Sequence, residues 1–108
     1  GQGYDPSDLE TVAAELLVNA ARAARTSVSL RATRSEGQVD LVVADDGPGD
    51  PFLKHRGKFP PAAELEDGRG MYIVRKLSGE VRVDSGPTGT VVRATVGLKP
   101  APAEQVGP

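Results

Sequence analysis

At 108 residues, with 38% hydrophobic and 26% charged residues, the chain has the size and mix of one soluble globular domain. A net charge of -2 makes no electrostatic case for a nucleic-acid partner. No apolar run reaches the roughly 18 residues that argue for a membrane span, and no stretch has the order of an export signal. Cysteine is absent, which rules out disulfides and thiolate metal sites and fits a cytoplasmic location.

Taken in chain order, residues 1–4 read as a linker or tag remnant, residues 5–99 as the domain, and residues 100–108 as a Pro-rich tail. Asp5-Pro6 reads as a helix start, with Asp5 capping and Pro6 in the first helical position. Leu9, Val12, Ala13, Leu16, Leu17 and Ala20 then recur at three- and four-residue spacing, one apolar stripe on a helix. From Ser27 the period changes to two. Val28, Leu30 and Ala32, then Val39, Leu41 and Val43 across a turn at residues 35–37, read as a β-hairpin with one buried face. Residues 46–67 are rich in Gly, Pro and charge and longer than a mere connection. Within them the segment from Asp50 to Asp67, which includes the single histidine His55, reads as a lid. A second helix is expected from about Gly70 to Leu77, followed by strands over Glu80–Asp84 and Thr90–Val96. Strands from both halves must share a sheet to bury their apolar faces. The expected fold is therefore an α+β two-layer α/β sandwich, a mixed sheet covered on one face by helices.

Several polar groups interrupt this pattern in a suggestive order. Glu15 and Asn19 stand four apart on the edge of the first helix's apolar stripe, so they project together. A carboxylate beside an amide oxygen could hold a hydrated Mg²⁺; taken alone, the pair would be an ordinary solvated flank. Asp45 shares the parity of Val39, Leu41 and Val43, which points its carboxylate toward the buried face, where it needs a hydrogen-bond donor. The exocyclic amine of adenine is such a donor. Gly47 and Gly49 allow the chain to turn away and approach a ligand, although a lone D-x-G-x-G is more often a capped turn. Gly68-Arg69-Gly70 leads into Met71 and the second helix, whose free N–H groups suit a phosphate, with Arg69 adding charge. A dinucleotide fingerprint is not met, because Ile73 occupies its third glycine position, and no P-loop pattern occurs. Thr90 shares the inward parity of Val92, Ala94 and Val96. Inward Asp45 and Thr90 require either pairing with each other or a ligand between them.

In order and spacing these features resemble the GHKL ATPases, which have the Bergerat ATP-binding fold. The matching boxes are Glu15–Asn19, Asp45–Gly49, Gly68–Gly70 and Gly89-Thr90. The stretch from Gly68 to Arg75, the following Glu80-Val81-Arg82-Val83 and the short interval between Gly49 and Gly68 look most like the anti-sigma-factor serine kinases. Sensor histidine kinases share the boxes and stand next. Their acceptor histidine lies in a separate helical hairpin, which these residues do not contain.

The resemblance implies ATP and Mg²⁺ as cofactors, Glu15 as catalytic base, Asn19 as the Mg²⁺ ligand and Asp45 as the adenine reader. It makes Gly47, Gly49, Gly68 and Gly70 lid hinges and phosphate cradle, with Arg69, Met71 and Thr90 also lining the nucleotide. The implied partners are a protein substrate of antagonist or response-regulator type, a sigma factor and a second copy of the chain. No membrane contact is implied for the domain. Fewer residues precede the first helix than in anti-sigma kinases, which suggests a piece of a longer protein.

Overall fold

The structure is a computed structural model that describes residues 3–49 and 68–100. The expected lid segment and His55 lie outside the described residues. The elements run β1 (Tyr4–Asp5), α1 (Ser7–Ala23), β2 (Val28–Ser35), β3 (Gln38–Asp45), α2 (Gly68–Leu77), β4 (Glu80–Gly86), β5 (Gly89–Gly97) and β6 (Lys99–Pro100).

Helix α1 begins one residue later than the Asp-Pro signal suggests. Pro6 occupies the N-cap position, and Asp5 acts from outside the helix, its Oδ1 accepting the Ser7 N–H at 3.0 Å. The cause is conformational: Pro6 has φ -86° and ψ 4°, short of helical geometry, so the first helical turn opens at Ser7. The apolar stripe then buries Val12, Leu16 and Ala20.

Strands β2 to β5 form one four-stranded sheet in the order β2-β3-β5-β4, and every neighbouring pair is antiparallel. The expected mixed sheet is thus corrected. The crossover through α2 returns the chain not beside β3 but one strand away, and β5 fills the gap antiparallel to both neighbours. The core lies between this sheet and the helices. Val12, Leu16 and Ala20 of α1 and Met71 and Val74 of α2 pack onto Val39, Leu41 and Val43 of β3 and Val92, Ala94 and Val96 of β5. Alternate residues of β3 and β5 enter this core, as the two-residue period demands.

Strand β2 departs from expectation. All eight of its residues are exposed, including Val28 and Leu30, at 37% and 44%. Their parity is right, since Leu30 pairs with Val43 and Ala32 with Leu41. Their cover is thin among the described residues: α1 lies mainly over β3 and β5 and meets β2 less, α2 packs beside α1 and reaches β4, and β2 is the sheet edge. A separate two-stranded ribbon joins Tyr4 to Pro100 and Asp5 to Lys99, so both flanks of the expected domain are drawn together. Lys99 Nζ adds an ion pair to Asp8 on α1 at 2.8 Å.

Candidate functional site

Register alone sets the first half of the site. Asp45 ends β3 directly opposite Thr90 at the start of β5, and Thr90 is in turn opposite Ser85 on β4. The two inward groups do not pair with each other. Thr90 is buried, with 6% of its surface exposed, and its hydroxyl shares a hydrogen bond of 2.7 Å with Ser85 Oγ. Asp45 turns Oδ1 back to accept the Gly47 N–H at 2.8 Å. Its Oδ2 has no hydrogen-bond partner among the described residues, which leaves one carboxylate oxygen as an acceptor at the mouth of the core.

The glycines around this carboxylate are places where backbone meets backbone. A Cβ on Gly47 would collide with the Ala23 carbonyl at the end of α1. A Cβ on Gly49 would lie 2.5 Å from the Gly86 carbonyl oxygen and 3.1 Å from Ser85 Oγ, and its φ of +86° disfavours any other residue. Gly89 sits against the Asp45 carbonyl in the same way. The turn after β3 is therefore held between the end of α1 on one side and the β4–β5 turn on the other.

The second half is built where α1 meets α2. Glu15 and Asn19 are partly buried at the edge of the α1 stripe, as their spacing requires. Both stand over Gly70: a Cβ there would lie 2.6 Å from Glu15 Oε1 and 3.7 Å from Asn19 Nδ2. Gly70 is inside the first turn of α2, not before it, because the helix already starts at Gly68. Its early N–H groups still lack partners within the helix and still carry the positive end of the dipole. The carboxylate of Glu15, the amide of Asn19 and the open end of α2 thus come together. Neither Glu15 nor Asn19 makes a side-chain hydrogen bond or ion pair among the described residues.

Not every expected lining residue takes that place. The side chain of Met71 is 5% exposed and belongs to the core, so only its backbone N–H is available to a ligand. The side chain of Arg69 lies outside the described residues. Two residues that sequence reasoning passed over matter here. Ser85 could have been found from the Gly86–Gly89 turn, since that register places it opposite Thr90. Asp46 gave no signal of its own, because its partners are 19 to 21 residues away.

Asp46 faces away from the core. Its Oδ1 accepts the N–H groups of Arg25, Thr26 and Ser27 at 2.8, 2.9 and 3.1 Å, and its Oδ2 accepts the Thr26 hydroxyl. The Thr26 hydroxyl first, then the backbone N–H groups of Thr26, Ser27 and Arg25, hold its carboxyl well below the ordinary value of 3.8.

Compared with known proteins, residues 3–96 match the family of the histidine kinase-like ATPase domain, and the chain belongs to it. One relative is the C4-dicarboxylate transport sensor protein DctB of Rhizobium meliloti, 36% identical over 104 residues that cover 86% of this chain. The match spans 16% of that protein's length. Among solved structures, the histidine kinase domain of the blue-light activated histidine kinase from Erythrobacter litoralis EL346 is 28% identical with a TM-score of 0.63. That match covers 84% of this chain and 46% of the other. The mycobacterial sensor histidine kinase MprB is also 28% identical, with a TM-score of 0.60 over 89% of this chain and 74% of its own. The two-layer α/β fold expected from the sequence is the one found, with an antiparallel sheet in place of the mixed one. The expectation that anti-sigma serine kinases stand nearest finds no support here: the two solved structures are of histidine kinases, and DctB is a transport sensor protein. The absence of a histidine hairpin from these residues has no weight when the match spans 16% of the DctB protein.

Proposed function

We propose that this chain is the ATP-binding catalytic domain of a sensor histidine kinase, working in the cytoplasm. The observation that carries the reading is the presence of two half-sites in one histidine kinase-like ATPase fold. Asp45 offers a carboxylate oxygen with no partner among the described residues, and Glu15, Asn19 and the start of α2 meet in the second half-site. The donor set fits Mg-ATP. Asp45 Oδ2 accepts from the adenine amine, while Thr90, tied to Ser85, closes the inner wall. The N–H groups of Gly68, Arg69, Gly70 and Met71 face the phosphates. Asn19 supplies an oxygen to Mg²⁺, which shields the phosphate charge when bound. Glu15, with room made by Gly70, would accept the proton from the ring nitrogen that does not attack, as the phosphoryl group passes to the other nitrogen and ADP leaves. The acceptor is a histidine on a helical hairpin, and a response-regulator protein receives the phosphoryl group afterwards.

The decisive test is single-turnover phosphoryl transfer by the wild type and Glu15→Gln to histidine-hairpin domains and to antagonist-type proteins. Acid-labile phosphohistidine is the expected product. A positioned base contributes about 10² to 10⁴ in rate where the nucleophile is a hydroxyl. A neutral imidazole is already nucleophilic, so Glu15→Gln is expected to slow transfer to histidine by much less. Acid-stable phosphoserine that vanishes in Glu15→Gln would overturn the reading in favour of the serine kinase. Nucleotide binding with no transfer to any acceptor would leave only a nucleotide-dependent switch.

A further inference from the structure

We infer that Asp46 is a positioning residue that locks the two halves of the nucleotide site to each other, an inference that rests on the ATP-binding reading above. The half-sites belong to different parts of the chain. Asp45 is set by the pairing of β3 with β5, whereas Glu15 and Asn19 are set by α1. Between them runs the link from Ala24 to Ser27, which carries the chain from α1 to edge strand β2. An edge strand with eight exposed residues gives that link little packing to hold it.

What holds it is one carboxylate. Three successive N–H groups, of Arg25, Thr26 and Ser27, converge on Asp46 Oδ1, and the Thr26 hydroxyl closes on Oδ2. Successive backbone amides curled around an anion form a nest. Here the anion is the residue next to the adenine reader. Gly47 reinforces the junction, since its Cα lies so close to the Ala23 carbonyl that no Cβ fits. The end of α1 and the end of β3 therefore move as one body. A ligand that touches only Asp45 does not sense this junction. One that reaches from Asp45 to Glu15, Asn19 and α2 does.

The sign of the effect separates positioning from simple electrostatics. Asp46 is an anion and ATP a polyanion, so removing its charge would by itself favour ATP binding. Loss of position weakens it.

The experiment is titration of adenosine and of Mg-ATP into folded wild type, Asp46→Ala, Asp46→Asn and Thr26→Val. Hydrogen exchange at the amides of residues 25–27 is read in parallel. Wild type that binds neither ligand refutes the ATP reading itself, and the positioning role falls with it. Given wild-type binding, Asp46→Ala is expected to lose roughly 10- to 100-fold in Mg-ATP affinity, the range seen when a supporting residue behind a site is removed. Its adenosine affinity is expected to change by less than about twofold, the loss being confined to a ligand that spans both halves. Asp46→Asn is expected to recover most of the loss, because its amide oxygen still accepts the three N–H groups. Should Asp46→Ala fail to fold, Thr26→Val, which removes only the hydroxyl contact, is expected to show a smaller loss confined to Mg-ATP. Adenosine and Mg-ATP weakening in step, or Mg-ATP binding that is unchanged or tighter, would overturn the positioning role.

Discussion

Because Asp45 is the last residue of β3 and keeps its pleat, its side chain is directed to the core mouth, while Asp46, just past the strand, is free to turn toward the end of α1. The two neighbours therefore carry different duties. Asp45 keeps one oxygen for its own turn and presents the other. Asn at this position retains the Gly47 contact but presents an NH₂ group to the adenine amine. Asp45→Asn is expected to cost roughly 1.5–3 kcal/mol of ATP affinity, the worth of a hydrogen bond to a charged group. Calorimetric titration giving equal affinities for both proteins would remove Asp45 from the site. Glu15 depends on a residue that makes no bond to it. With any side chain at Gly70, its carboxylate must leave the position over α2.

Among the elements, β3 and β2 carry similar apolar patterns with opposite consequences. Leu41 is 2% exposed under α1, whereas Leu30, one strand over on the same face, is 44% exposed. Leu41→Ala is expected to destabilise the domain by about 2–5 kcal/mol, the transfer loss plus a cavity that the rigid sheet cannot close. Leu30→Ala is expected to stay within about 0.5 kcal/mol, as for a surface substitution. Urea unfolding of both variants checks the contrast, and equal losses would mean that β2 is covered in solution. Among the described residues, the opposite face of the sheet has no helix over it. It carries charge instead, with Arg93 beside Asp40 at 3.8 Å and Arg82 beside Glu80 at 3.5 Å, and exposed pairs of this kind add little to stability.

At the scale of the molecule, the same Asp46 contacts that join the half-sites make stability depend on acid. Its carboxyl titrates well below 3.8 in the folded chain, whereas the unfolded chain returns it to that ordinary value. Below about pH 4 the unfolded state binds a proton that the native state does not, so the contribution is complete above that pH and is lost as pH falls. Urea midpoints measured across the acid range are expected to fall more steeply for wild type than for Asp46→Asn, which has no such group to protonate. Parallel curves would show that the nest does not hold the charge. The Lys99 ammonium works in the opposite sense: Asp8 raises it, so its contribution is lost as pH rises above 10.5.

Local chemistry by itself determined the two helices, the four sheet strands and the placement of Glu15, Asn19, Asp45 and Thr90, because periods of 3.6 and two are properties of short segments. The inward parity of Asp45 and Thr90 was legible for the same reason, before their strands were known to be neighbours. Strand order was not legible. Antiparallel pairing of β3 with β5 joins residues far apart in the sequence, from Asp45 with Thr90 to Gln38 with Gly97, and only packing selects it over the mixed sheet. The exposure of β2 was equally hidden, since alternation specifies a face and not what lies over it. Met71 shows the same limit on a helix: its place after the glycines suggested a ligand, and the direction of its side chain gave it to the core. Asp46 depends on tertiary structure most of all. Its partners are mostly backbone amides, which have no side-chain identity to read, and the packing of α1 on the sheet is what brings them to it.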